Sequence, residues 1–219
     1  MENDQWVYME EECIVVDDHD NQIGEGSKKD CHLRNKIDGS TIQHRAFSVF
    51  LFDSQNRLLL QRRSAEKITF PLYWANTCCS HPLNCAAERE VENDIGVKRA
   101  AIRKLNHELG ISESTWSTDD FVNVLNAHYS APSDDTWGEN EIDHVLVAKK
   151  DVQLNLNPSE VCEVKYMTYD EICHFIDSAN DQDQKISPWF KKIFLYYGKD
   201  LFHHVDTIHT VCKKGIVSL

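Results

Sequence analysis

Strand and helix signals mix along this chain without a regular βαβ alternation, which predicts an α+β fold. Short runs rich in β-branched and aromatic residues recur between polar turns. Other segments hold apolar residues at helical spacing next to a recognisable cap or an initiating proline.

In chain order, residues 13–16 read as a strand that ends in Asp17-Asp18-His19-Asp20-Asn21. Residues 46–52 are a second, and Asp53-Ser54-Gln55-Asn56 turns the chain into a hairpin partner at 57–61. Residues 97–109 place Ala101, Ile102, Leu105 and Leu109 on one helical face and stop at Gly110, a C-terminal cap. Strands follow at 121–125, 142–148 and 163–167. Thr168-Tyr169-Asp170-Glu171 is a capping box opening a helix through Ile172, Phe175 and Ile176. Pro188 takes the first position of a last helix, striped by Trp189, Phe190, Ile193, Phe194 and Tyr197. Residues 200–219 carry no assignable motif.

The 219 residues fit one domain, and 41% hydrophobic with 27% charged residues is an ordinary globular balance. No apolar run approaches the roughly 18–20 residues that span a bilayer. The acidic start, Met1-Glu2-Asn3-Asp4-Gln5-Trp6, is unlike a signal peptide, and the C-terminal Val217-Ser218-Leu219 is not the Ser-Lys-Leu address. A cytoplasmic protein is therefore expected. A net charge of −13, from 23 basic and 36 acidic residues, disfavours nucleic acids and anionic membranes as partners. An anionic small molecule can bind only where local cations or a metal overcome that field.

The eight cysteines contain no Cys-x-x-Cys pair, so thiols are expected rather than a zinc ribbon or disulfides. Cys13, Cys85, Cys162, Cys173 and Cys212 read as small apolar residues. Cys78-Cys79-Ser80-His81-Pro82 is different. In an extended chain Cys79 and His81 share a face and Cys78 points away, while Pro82 ends any pairing. Glu139 and Glu141 share a face by the same rule, and two carboxylates this close favour a cation between them. Candidate imidazole ligands are His32, His44 and His81, with His107, His128 and His144 as competitors. Three imidazoles with two carboxylates suit zinc, manganese or iron better than calcium.

Six segments in order resemble the type 1 isopentenyl-diphosphate isomerases, a branch of the Nudix fold. They are Lys28-Lys29-Asp30-Cys31-His32, His44-Arg45-Ala46-Phe47-Ser48, Thr77-Cys78-Cys79-Ser80-His81-Pro82, His107-Glu108-Leu109-Gly110-Ile111, Trp137-Gly138-Glu139-Asn140-Glu141-Ile142-Asp143 and Ser187-Pro188-Trp189-Phe190. The resemblance implies mixed β-sheets flanked by helices, a core over about residues 42–180, terminal extensions and a monomer. It implies that His32, His44, His81, Glu139 and Glu141 hold one divalent ion (zinc, manganese or magnesium), and that Glu108 helps hold magnesium on a substrate diphosphate. Cys79 and Glu141, the latter with Tyr129, become the catalytic groups; Cys78 is packing. Lys28, Arg63, Lys67 and Lys104 become diphosphate contacts. Related chains place arginine at position 104; lysine keeps the charge without the bidentate fork, and Arg103 can share the role. The interval between His32 and His44 is longer than in compact relatives, which should not keep the two apart.

The implied reaction moves a double bond between isopentenyl and dimethylallyl diphosphate. It needs one group to protonate the alkene and another to take a proton from the neighbouring carbon. The intermediate tertiary carbocation needs a dry pocket, where the face of Trp189 can stabilise it by about 2 kcal/mol. Two rival readings are a Nudix diphosphate hydrolase and a non-catalytic metal- or ligand-binding protein on the same scaffold. The hydrolase pattern of the same fold has a glutamate where Lys104 stands and an adjacent glutamate pair where His107-Glu108 stands, so its carboxylate cage is largely missing here.

Overall fold

A computed structural model describes residues 4–179 and 184–219. The elements run α1 (Asp4–Tyr8), β1 (Glu12–Val16), β2 (Gln22–Ser27), α2 (Lys28–His32), β3 (His44–Phe52), β4 (Leu58–Arg63), β5 (Trp74–Ala75) and β6 (Cys78–Ser80). Then follow α3 (Ile95–Leu109), β7 (Val122–Pro132), β8 (Gly138–Lys149), β9 (Val161–Met167), α4 (Tyr169–Ser178), α5 (Pro188–His203) and β10 (Ile216–Ser218). A mixed sheet is thus flanked by helices, in agreement with the α+β expectation.

β3 is the centre of the sheet and is buried at every residue. It lies parallel to β8 along its whole length, from His44 beside Glu141 to Phe52 beside Lys149. On its other side β6 pairs antiparallel, Ser48 facing Cys79 and Val49 facing Cys78, and β4 joins at its far end. The strand alternation sorts side chains into two cores. Phe47, Val49 and Leu51 pack with Cys78, Ala101 and Leu105 under α3, whereas Phe50 and Phe52 pack with Trp74, Trp189 and Phe190 under α5. Each fully buried Phe or Leu contributes about 1.5–3 kcal/mol, so the two layers fix the register of β3.

α3 stops at Gly110, whose φ of 66° is left-handed and whose N–H bonds back to Asn106 and Leu105. A Cβ there would lie 2.3 Å from the Asn155 carbonyl oxygen, so this cap requires glycine. The Thr168 capping box also forms, its hydroxyl accepting from the Glu171 N–H.

The structure adds elements that local pattern does not announce. β2, with sequence Gln-Ile-Gly-Glu-Gly-Ser, is a largely exposed strand whose ladder runs to β1. α2 spans five residues, too few for a helical period to register. β7 and β8 are longer than the expected 121–125 and 142–148, because their polar residues alternate across a hairpin ladder that reaches Pro132 and Gly138. The C-terminal stretch adds β10, parallel to β7, with the Leu219 N–H on the His128 carbonyl and Lys192 on the Leu219 carbonyl. Among the described residues no helix is long and apolar enough to cross a membrane.

His144 is buried between Asp20 at 2.8 Å and Asp94 at 3.3 Å. Burial alone would lower its pKa, but the two carboxylates outweigh burial and raise it to about 9. A folded pKa above the unfolded value stabilises fully below about pH 6.5, and the contribution is lost as pH rises through about 9. His144→Gln is therefore expected to cost a few kcal/mol at about pH 6 and much less at about pH 10, read from urea midpoints. An equal cost at both pH values would refute the charged clamp.

Candidate functional site

Five side chains from four separate segments converge at one end of β3. α2 supplies His32, and its first turn is capped by the Ser27 hydroxyl accepting from the Asp30 N–H. β3 opens with His44, whose strand neighbour on β8 is Glu141; Glu139 shares that face two residues earlier. His81 follows β6 directly. Ligand atoms of all five lie within 4.8 Å of one another, and all five residues are buried.

The imidazoles are aimed before any ion arrives. His32 Nδ1 contacts the Lys28 carbonyl at 2.6 Å and His44 Nδ1 the Ile42 carbonyl at 2.8 Å, so each ring donates outward and turns Nε2 inward. His32 Nε2 lies 2.8 Å from Glu139 Oε2, yet neither atom has a hydrogen-bond partner of good geometry. His44 Nε2 and His81 Nδ1 are buried and unpartnered as well. Buried polar atoms without partners are costly, and here they surround one point. Three imidazoles, two carboxylates and inward-facing lone pairs fit a divalent cation.

The charges of the cluster lean on one another. Burial disfavours a charged His44, but the pull of Glu141, whose Oε1 lies 3.5 Å from its Nε2, outweighs burial and raises it to about 9. Burial, then the charges of His44 and His32, push His81 well below the ordinary imidazole range. Burial also opposes ionisation of Glu141, yet the nearby His44 imidazole and the Tyr129 hydroxyl hold the carboxyl below its usual value. Glu141 Oε1 meets His81 Nε2 at 2.7 Å, while its Oε2 accepts the Tyr129 hydroxyl proton.

Beside the cluster lies a pocket that opens to solvent. Cys79, Tyr129, Glu139, Glu141 and Trp189 line it, and Lys28, Arg63 and Lys67 bring positive charge to the same wall. Burial pushes the Cys79 thiol up to about 12 although Arg63, 3.8 Å from its sulfur, pulls it down. Burial and Glu141 likewise raise the Tyr129 hydroxyl well above its usual value. Both therefore carry their protons at neutral pH. The Trp189 indole is locked by its N–H on the Asn76 amide oxygen at 3.0 Å and by an edge contact with Phe70. The guanidinium of Arg63 lies 5.7 Å from its ring centroid.

Cys78 turns into the core under α3, away from the pocket, as alternation on β6 requires. Glu108 and Lys104 do not line the pocket. They form a buried ion pair at 3.2 Å behind β6, where the charge of Glu108 still raises both Cys78 and Cys79. Arg103 is not on the wall either; it grips Glu88 and reaches the His81 carbonyl at 3.3 Å. The competing histidines are engaged elsewhere: His107 meets Tyr8, His128 meets Asn140, and His144 meets its two aspartates. Thr69 and Ser48 also line the pocket, and no sequence signal distinguishes them.

The NUDIX domain family matches residues 42–190. Isopentenyl-diphosphate Delta-isomerase I of Clarkia breweri is 50% identical over 199 residues, covering 90% of this chain and 69% of that protein. Isopentenyl-diphosphate delta-isomerase of Schizosaccharomyces pombe is 48% identical over 201 residues, covering 90% and 86%. Among solved structures, DR0079 from Deinococcus radiodurans superposes with a TM-score of 0.56 at 16% identity, covering 93% of this chain and all of that one. That likeness speaks for the fold alone. Fold, family match and relatives agree: the chain belongs to the isopentenyl-diphosphate delta-isomerases of the NUDIX family.

Proposed function

We propose that this chain interconverts isopentenyl and dimethylallyl diphosphate in isoprenoid synthesis, with Cys79 and the Tyr129–Glu141 pair as its proton-transfer groups. The observation that carries the reading is one pocket whose wall holds a protonated thiol, an ionised carboxylate bonded to a protonated phenol, and three cations. The isomerisation is neutral overall. A proton is added at one carbon, a proton is removed from another, and the double bond shifts between them. One group must start protonated and the other as a base, and the reverse reaction exchanges the roles. Cys79 and Tyr129 supply protons, and Glu141 supplies a base held ionised in a buried site.

Trp189 and the stem of Tyr129 give the pocket an apolar side where a carbocation is shielded from water. The indole face adds about 2 kcal/mol of attraction to a desolvated cation. Lys28, Arg63 and Lys67 face the diphosphate, which is how a chain of net charge −13 takes up an anion. His32, His44, His81, Glu139 and Glu141 would hold the divalent ion, which when bound supplies positive charge that fixes and partly neutralises Glu141. Glu108, close behind Cys79, is proposed to meet a magnesium ion carried by the diphosphate.

The test is to incubate the purified chain with isopentenyl diphosphate and magnesium and assay the acid-labile allylic product. Conversion is expected, and its absence in metal-loaded protein would overturn the reading.

A further inference from the structure

Glu160 is a buried carboxylate, 2% exposed, that no step above uses. It stands at the start of β9, where its N–H bonds the Asn157 carbonyl and its own carbonyl accepts the Ser64 N–H at 2.9 Å, next to Arg63. Its carboxylate meets Lys67 Nζ at 2.6 Å, Lys104 Nζ at 4.0 Å and the Gln5 side-chain amide of α1 at 2.6 Å. Lys67 is itself nearly buried and lines the pocket. An ammonium has three protons; Glu160 takes one, and two are left for oxygens arriving in the pocket.

We infer that Glu160 is a positioning residue for diphosphate: it anchors Lys67 as a charged, oriented donor on the pocket wall and ties that wall to α1 through Gln5. This rests on the isomerase reading of the pocket for the identity of the ligand. Without Glu160 the surroundings of Lys67 oppose its charge. Burial, together with the neighbouring cations Arg63 of β4, Lys28 of α2 and Lys104 of α3, lowers its pKa to about 8 even with Glu160 present; Glu160 is the main group that pushes it upward, with the more distant Glu108 of α3 on the same side. Lys67 and Lys104 in turn hold Glu160 far below the ordinary carboxylate range against its burial. The sign follows. Losing Glu160 drops the Lys67 pKa, so its contact with an anion fails first at higher pH.

The experiment compares wild type with Glu160→Gln, which keeps the shape and an oxygen for Gln5. It measures KM and kcat for isopentenyl diphosphate, and Kd for inorganic pyrophosphate by calorimetry. Glu160→Gln should raise KM and Kd about tenfold with kcat within about threefold, the loss expected for one charge-assisted hydrogen bond. The penalty should be larger at about pH 8.5 than at about pH 6.5, and Glu160→Asp should recover most of it. Because Glu160 acts through Lys67, adding Glu160→Gln to Lys67→Gln should cost little more than Lys67→Gln alone. Unchanged KM and Kd at both pH values, or penalties that add in full, would overturn the assignment. The two claims separate cleanly: a wild type that binds pyrophosphate through Glu160 but makes no allylic product leaves this inference standing and removes the isomerase reading.

Discussion

Cys79→Ala is expected to lower kcat by about 10²–10⁴-fold, the range that a positioned proton-transfer group contributes. The effect should fall on kcat more than on KM, because a proton-transfer group acts in the chemical step rather than in holding the anion. Cys79 packs at the edge of the core under α5, with its sulfur 3.8 Å from Arg63, so little else depends on it. The neighbouring Cys78→Ala is the control. Cys78 is fully buried under α3, and its truncation should cost about 1 kcal/mol of stability while turnover stays within about threefold. Product assays and urea unfolding of the two variants give the contrast directly. Equal losses of turnover would mean that the thiol of Cys79 has no special place in the chemistry.

Glu141→Gln is expected to abolish measurable turnover and to lower metal content, since this one side chain contacts His81, His44 and Tyr129 together. An amide cannot act as the base, and it brings no charge to a centre where His44 and His81 converge on Oε1. Glu139→Gln is the comparison. Glu139 also lines the pocket, but its short contact is to His32, so the main loss should be metal affinity, with activity returning at high metal. Elemental analysis after dialysis and activity against added metal read both effects. Full activity in Glu141→Gln would remove the carboxylate from the proton path.

Much of the chemistry was legible because it follows local rules. The two-residue alternation of an extended chain separated Cys79 from Cys78 and placed Glu139 beside Glu141 on one face, and both separations are present on β6 and β8. The helix at α3 and its glycine stop came from apolar spacing and from the left-handed turn that only glycine adopts cheaply. β2, α2 and β10 were not legible. They are too short or too polar to carry a period, and they exist because a neighbouring strand or turn supplies their hydrogen bonds.

Residue types, their local spacing and the overall charge are properties of the chain alone, so the sequence determined which groups were available for proton transfer and metal binding. Which of six histidines meet was decided by the pairing of β3 with β8 and by α2 folding over them, contacts between segments distant along the chain. The same is true of the cations. Lys67 reaches the pocket, whereas Lys104 is bound one turn away to Glu108 and shares Glu160. Whether a cation faces the pocket or is turned into an internal ion pair depends on which segments pack around it, and only the tertiary structure sets that.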